Sequence, residues 1–413
     1  MRADAPLSTT DTSPDADDAQ PSFSPPTGLL PVIAMHTMDT PITTGLTLEP
    51  VERAPRKKPH SVFEFPRTEL EAWFRERNAP SFRARQVMHG VYRQFTTNWD
   101  DLTTLPVGMR EALSVDLPLS ALEPIHEIAT PDGETVKVLY RTIDGQTLET
   151  VIMYYADRVT VCVSCQVGCA VGCSFCATGL MGLHRNLSAG EMVAQVVDTA
   201  RRASLRGRTL TNIVMMGMGE PFHNYANMMR MIEILHEPEG LNFGARRITV
   251  STSGVVPFID KLAAEPWAVN LAISIHASDD ETRNQLVPLN VRWPLRELLG
   301  AVRRYIRTTG RRVSFEYALL AGVNDSDEQA KTLATRLRGM LCHVNVIPYN
   351  PTSAAPYTRP TTERIERFAA LLNTAGVPAT VRYSRGVEIA AACGQLHVEH
   401  AQRTAVTETA ATA

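Results

Sequence analysis

The spacing of apolar positions changes character twice along the chain. Residues 1 to about 60 are rich in Pro, Ser, Thr and Asp and show little periodicity. Such a composition buries too little apolar surface to offset its ordering entropy, so this stretch is expected to be a disordered tail. Helical spacing then begins. Glu69 to Arg77 forms one pattern and Phe82 to Phe95 a second, with Val87, Met88, Val91, Tyr92 and Phe95 as its apolar positions. A stretch rich in Val, Tyr and Thr follows, broken by Pro131-Asp132-Gly133 and Asp144-Gly145, which predicts a small sheet. Residues 61–149 are therefore expected to form an α+β accessory domain.

From residue 150 strands and helices alternate. Strands are expected over Thr150 to Val163, Leu210 to Met216, Arg247 to Ser251, Val269 to Ile275, Arg312 to Leu319 and His343 to Pro348. Helices are expected over Ser188 to Ala203, Tyr225 to His236, Pro257 to Ala264, Leu295 to Thr308, Ser326 to Arg338 and Thr361 to Asn373. The first of these opens with Ser188 and Glu191 in capping-box spacing. Six strand-helix units predict an α/β fold with a parallel sheet, either open and doubly wound or a partial (β/α)6 barrel. The barrel is preferred because the segments with chemical potential follow strands: the cysteine loop, Gly217 to Pro221, Ser251 to Gly254, Ser274 to His276, and Tyr349 to Pro351. Strand C-termini share one face in such folds, so these segments should converge. The core is assigned to 150–397 with a C-terminal catalytic segment, and 398–413 to a flexible tail.

Whole-chain charge is -3, and the acidic excess lies in the first sixty residues, so the remainder is balanced. No basic field announces a nucleic-acid partner, and any RNA binding must come from local patches and shape. No secretory leader or membrane-length apolar run is evident, so a cytoplasmic protein with no membrane partner is expected. Five of seven cysteines crowd into Cys162, Cys165, Cys169, Cys173 and Cys176, with Cys342 and Cys393 apart. That distribution points to metal or redox chemistry rather than a disulfide scaffold.

Cys169, Cys173 and Cys176 form C-x3-C-x2-C. Thiolates suit iron-sulfur clusters, and a short loop with Gly168 and Gly172 can wrap a compact one. Three ligands leave one iron of a four-iron cluster open to a cofactor or substrate. A structural zinc site is the alternative, although such sites usually join two cysteine pairs a dozen or more residues apart. Cys162-Val-Ser-Cys165 has thioredoxin-like spacing but lies in or beside a strand, whereas that motif wants a helix N-terminus. Cys342 suits a small buried hydrophobe.

With Phe175 before its last cysteine, the loop resembles the signature of the radical S-adenosylmethionine (SAM) superfamily. Gly217 to Pro221 resembles that superfamily's glycine-glutamate motif, which holds the methionyl amino group. Longer segments are similar to the RlmN family of RNA adenine-C2 methyltransferases: Gln166-Val-Gly-Cys169, Met215-Met-Gly-Met-Gly-Glu-Pro221, Ser251-Thr-Ser-Gly-Val-Val-Pro257, Ser274-Ile-His276 and Ala392-Cys-Gly-Gln-Leu396. The similarity spans about residues 66 to 397.

The resemblance implies a radical SAM barrel with a [4Fe-4S] cluster on Cys169, Cys173 and Cys176, and two SAM molecules per turnover. A ring carbon such as carbon 2 of adenine is not nucleophilic, so a radical route is required, and that chemistry is the cofactor's. In the family a first SAM methylates a C-terminal cysteine, matched here by Cys393. A second yields a 5′-deoxyadenosyl radical that takes hydrogen from the S-methyl group, and the carbon radical adds to the base. Release requires loss of a base proton, with Glu149 matching the acceptor, and attack on the Cys393 sulfur by a thiol matching Cys162. From the residues alone Glu149 suits a solvent-facing strand carboxylate. Cys165 departs from the family, which usually has serine there. The SAM contacts carried over are Gly219, Glu220, Ser251, Ser274, Ile275, His276 and Asn350.

The implied partners are 23S rRNA at the peptidyl transferase centre, tRNA at position 37, and a cellular electron donor. Arg75, Arg77, Arg83, Arg85 and Arg93, interleaved with Trp73, Phe74, Phe82 and Tyr92, are either phosphate and base contacts or a solvated face over a core. A Cfr-like enzyme acting on carbon 8 is the nearest alternative. A zinc-stabilised RNA-binding module without catalysis is the alternative from another class.

Overall fold

The computed structural model describes residues 61–396, so the tails expected at 1–60 and 398–413 lie outside the described residues. Three helices come first: α1 (Arg67–Glu76), α2 (Phe82–Tyr92) and α3 (Val107–Asp116). Their apolar stripes supply Leu70, Phe74, Val87, Met88, Val91 and Leu113 to the core. Trp73 and Tyr92 are buried with them, whereas Phe82 is 45% exposed.

The two turn signals fold three antiparallel strands, β1 (Leu122–Ala129), β2 (Thr135–Thr142) and β3 (Thr147–Tyr154). The single strand expected over Thr150 to Val163 is instead a hairpin. β3 turns through Ala156-Asp157-Arg158 and returns antiparallel as β4 (Val159–Cys162), with Val151 opposite Cys162. The Tyr155 N–H donates to the Arg158 carbonyl at 2.8 Å and closes the turn. Apolar content cannot separate one buried strand from two; the polar Asp157-Arg158 tip carries the break.

β5 (Gln166–Gly168), α4 (Ala177–Leu180) and β6 (Leu183–Asn186) frame the cysteine loop, and β5 pairs with β6. The alternating units follow: α5 (Ala189–Leu205), β7 (Asn212–Met215), α6 (Tyr225–His236), β8 (Ile248–Thr252), α7 (Val256–Ala264) and β9 (Asn270–Ser274). After these come α8 (Asp280–Leu286), α9 (Leu295–Thr309), β10 (Val313–Leu319), α10 (Asp327–Leu337), β11 (Cys342–Pro348), α11 (Thr362–Thr374) and β12 (Ala379–Val381). The capping box at Ser188 and Glu191 is formed. The sequence pattern missed α8, a short helix whose signal is the cap Asp279, which accepts from the Thr282 N–H.

Among the described residues ten strands form one sheet, ordered β1-β2-β3-β4-β7-β8-β9-β10-β11-β12. Pairing is antiparallel up to β4 and parallel from there on. Each new parallel strand adds on the same side of the last. A doubly wound sheet reverses its strand order at a switch point. The unreversed order found here is that of a partial barrel, its strand C-termini gathered along one rim. No helix among the described residues is long and apolar enough to cross a membrane.

Candidate active site

A cleft of about 1030 Å³, counting its open mouth, lies at the C-terminal rim of the parallel strands. Cys169, Cys173, Cys176, Gly219, Glu220, Ser251, Ser274, His276, Asn350 and Cys393 all line it. The convergence expected from the strand-end motifs is therefore present. Ile275 is fully buried behind the wall, its N–H donating to the Glu316 carbonyl at 3.0 Å and its carbonyl accepting from Arg283 Nε at 2.9 Å.

The cysteine loop suits a cluster on chemical grounds. Burial pushes all three thiols up, Cys169 to about 12 and Cys173 well above the ordinary range, so thiolates require a cation at the sulfurs. Backbone N–H groups already face the sulfurs: Val171 donates to Cys169, and Thr178 and Gly179 donate to Cys176. Such donors stabilise the sulfur charge of iron-sulfur centres.

Glu220 follows β7 and is 3% exposed. Its Oε1 accepts from the Phe222 N–H at 3.0 Å, and its Oε2 accepts from the Ser253 N–H at 2.7 Å and the Ser253 hydroxyl at 2.6 Å. Three donors thus fix one carboxylate in the cleft wall. Gly219 is left-handed at φ +107, and a Cβ there would stand 2.6 Å from Gln166 Cβ and 2.9 Å from Cys165 Sγ. Only glycine lets the loop pass so close to β5.

The next strand ends supply hydrogen-bonding groups. The Ser251 and Ser274 hydroxyls stand 3.4 Å apart. His276 is itself left-handed, at φ +55, and its Nδ1 accepts from the Ala318 N–H at 3.0 Å, which leaves the ring proton on Nε2. Burial, with Arg283 adding, pushes its pKa down to about 3, so the ring is neutral. Asn350 donates to the Ser384 hydroxyl at 2.8 Å, while its buried Oδ1 has no partner among the described residues. Glu316 Oε2 accepts no hydrogen bond among the described residues either, with Arg382 Nη1 3.9 Å from it, and its Oε1 accepts from Asn345 at 2.8 Å. Two buried acceptors on one cleft wall fit a ligand rich in O–H and N–H donors, as the ribose and amino groups of SAM are.

A second cleft of about 770 Å³ is lined by Cys162, Cys393, Val151, Met153 and Arg382. Cys393 lines both clefts, and its exposed surface faces them. Burial, reinforced by the nearby Cys393, pushes Cys162 up to about 12. Cys165 lines neither cleft; it is buried behind Gly219. Cys342 is buried at the start of β11. The segment bearing Cys393 is pinned to the cysteine loop, where the Ala177 N–H donates to the Gly394 carbonyl at 2.8 Å.

Glu149 is 3% exposed, so it is not the solvent-facing carboxylate that the residues alone suggest. It lines neither cleft but shares a β3 face with Val151 and Met153, which line the second. Lys137 Nζ stands 3.2 Å from its Oε1. Ser164 ties this strand to the glycine loop, donating to the Glu149 carbonyl at 2.6 Å and accepting from the Met218 N–H at 2.9 Å.

Sequence reasoning missed Ser253, Arg283, Glu316, Arg382 and Lys137. Ser253 lay within a motif quoted for its neighbour Ser251. Arg283 is 1% exposed and donates to the carbonyls of Ser253 at 2.6 Å and Ser274 at 3.2 Å, joining two strand-end loops. It sits on the unpredicted α8, and a single arginine in sequence carries no sign of burial. On the helical domain, Arg75, Arg85 and Arg93 are exposed, Arg77 pairs with Asp116 at 2.7 Å and lies over Trp73, and Arg83 donates to the Thr104 carbonyl at 2.9 Å.

Residues 163–334 match the radical SAM superfamily, and residues 61–117 match the ribosomal RNA large subunit methyltransferase N-terminal domain. The chain is 46% identical over 350 residues to a probable dual-specificity RNA methyltransferase RlmN of Chloroflexus aurantiacus, covering 82% of this chain and 93% of that one. A Bacillus cytotoxicus protein of the same name is 43% identical over 343 residues, covering 83% and 94%. A crystal structure of a radical SAM methyltransferase from Sphaerobacter thermophilus superposes with a TM-score of 0.81 at 63% identity, covering 82% of this chain and 99% of that one.

Proposed function

The chain belongs to the RlmN family of radical SAM RNA methyltransferases, and we propose that it methylates carbon 2 of adenosine in 23S rRNA, at the peptidyl transferase centre, and in tRNA, at position 37. The observation that carries this reading is the placement of Cys393 on the wall shared by two clefts, with the three-cysteine loop and Glu220 in one and Cys162 in the other. Ordinary methyl transfer needs no such pair of thiols.

Cys169, Cys173 and Cys176 would hold the cluster, which with SAM would supply a carbon radical able to abstract hydrogen from an unactivated methyl group. Glu220, fixed by Ser253 and Phe222, accepts from the methionyl amino group. Ser251, Ser274, His276 and Asn350 bind the remaining polar edges, and main-chain groups around Gly219 and Ile275 shape the wall. Cys393 takes a methyl group from one SAM and presents it to a second, so each turnover uses two. Its sulfur then carries the one-carbon unit to the base as a covalent adduct. Glu149 accepts the proton lost from the ring carbon. Cys162, as its thiolate, attacks the Cys393 sulfur, and a Cys162–Cys393 disulfide forms. The bonding pair of the broken sulfur-carbon bond stays on the carbon, which takes up a proton to become the methyl group. A thiol reductant restores both cysteines for the next turnover.

The enzyme draws its electrons from a cellular donor and works in the cytoplasm, where both RNAs are found. Anaerobic reconstitution with iron and sulfide, incubation with SAM, reductant and each RNA, and nucleoside mass spectrometry test the proposal. 2-Methyladenosine in both RNAs is expected. 8-Methyladenosine would move the chain to the Cfr-like reading, and no methylated adenosine would reject both.

A further inference from the structure

β2 carries a lysine where a strand buried on nearly every position would ordinarily carry an aliphatic residue. Lys137 is 8% exposed, and two groups from distant parts of the chain meet its ammonium. Glu149 Oε1 stands 3.2 Å from Nζ, and Nζ donates to the Ala390 carbonyl, also at 3.2 Å. The first contact follows from register. Lys137 lies opposite Val151 and Leu139 opposite Glu149, so Lys137 and Glu149 are diagonal neighbours on one face of the hairpin. The second contact joins β2 to the segment that bears Cys393, three residues beyond Ala390.

That segment docks on the β2–β3 hairpin at two further points. Arg385 Nη1 donates to the Tyr154 carbonyl at 3.1 Å, and Gly386, left-handed at φ +69, passes so close that a Cβ would stand 2.8 Å from Thr135 Cγ2. Ala390 is left-handed too, at φ +51, a conformation that alanine keeps only where its surroundings hold it. Its carbonyl is the one that Lys137 takes.

We propose that Lys137 is a positioning residue that fastens the Cys393-bearing segment to Glu149, so that one ammonium group sets both the proton acceptor and the sulfur that carries the methyl. The idea rests on the reading of Glu149 and Cys393 given above. It also makes the antiparallel hairpin the dock for the catalytic segment.

Lys137→Met keeps the bulk and removes the charge and the donors, and Lys137→Arg keeps the charge. Hydrogen exchange by mass spectrometry on the full chain should show residues 387–394 exchanging about ten-fold faster in Lys137→Met, with β10 unchanged, and Lys137→Arg restoring much of the protection. On denaturing gels Lys137→Met should accumulate RNA-linked protein at several times the level of the parent, because Glu149 is misplaced when its proton must be taken. Unchanged exchange at 387–394 overturns the tether. Uniform acceleration that includes β10 also overturns it, since the lysine then only stabilises the fold. Faster local exchange without the RNA-linked species overturns the link to Glu149. Glu149→Gln separates the two readings: if it methylates RNA as well as the parent, the proton-acceptor role falls, while the exchange data still judge the tether.

Discussion

Ser253 donates both its backbone N–H and its hydroxyl to a single carboxylate oxygen of Glu220, at 2.7 and 2.6 Å. A carboxylate held by two charge-assisted bonds on one oxygen and a third on the other has no freedom to turn away from the cleft. Its remaining acceptor capacity is aimed where a cationic amino group can approach. Glu220→Ala should therefore weaken SAM binding by roughly ten- to a hundred-fold, from the loss of about 1.5–3 kcal/mol, while iron content stays near that of the parent. Ser253→Ala should show a smaller loss in the same direction. Equilibrium dialysis with SAM checks both, and an unchanged dissociation constant for Glu220→Ala would remove it from the site.

Replacing Cys169, Cys173 or Cys176 with Ala should abolish the cluster and all reductive cleavage of SAM. The loop offers three buried thiols, and N–H donors face the sulfurs of Cys169 and Cys176, so each replacement removes one ligand of a three-ligand set. Iron and acid-labile sulfide after reconstitution, together with deoxyadenosine formation, measure the outcome. Full iron and full cleavage in any one variant would contradict the ligand assignment.

The neutral His276 ring makes a prediction about stability. Its folded pKa, near 3, lies below the unfolded value of 6.5. Between these values the unfolded chain binds a proton that the folded chain refuses. The stability from keeping the ring neutral is fully present above pH 6.5 and is lost as pH falls through the window toward 3. By pH 5 the loss from this one group is about 2 kcal/mol. His276→Gln should remove it, so the fall in urea midpoint between pH 7.5 and 5 should be smaller in the variant than in the parent. Equal falls would mean that the ring protonates in the folded state.

Much of this arrangement was legible in the chain because each barrel unit announces itself locally. The helix Tyr225–His236 was bounded by its apolar stripe alone, and the glycine loop and Ser274 to His276 follow their strands as the pattern required. Contacts made across large sequence distances were not legible. Nothing near Lys137 points to Ala390, and nothing in Asp280 to Leu286 shows that Arg283 is buried against two loops. The β3–β4 hairpin was missed for a different reason. A continuous run of apolar and β-branched residues is compatible with one strand or two, and only pairing partners decide.

The two cysteines outside the cluster loop give the sharpest separation from ordinary methyl transfer. Cys393→Ala should yield neither methylated RNA nor methylated protein, because nothing remains to accept the first methyl group. Cys162→Ala should accept that methyl and react with the base, then stall with RNA attached through Cys393, since the other thiol lining that cleft, Cys176, is committed to the cluster. Cys165 is a candidate substitute by sequence position, but it lies behind Gly219, in neither cleft, and its neighbours Met218 and Leu187 take its backbone N–H and carbonyl at 2.8 and 3.0 Å. Cys165→Ala should therefore turn over close to the parent rate, and Cys165 should not rescue Cys162→Ala. A denaturing gel of each purified variant, with and without nuclease, reads the result as a slow band that collapses on digestion. A trapped species in Cys165→Ala rather than Cys162→Ala would exchange the two assignments, and its absence from both would reject the covalent route. The stalled adduct should also be insensitive to thiol reductants, because it is a thioether, whereas a disulfide-linked artefact would be released.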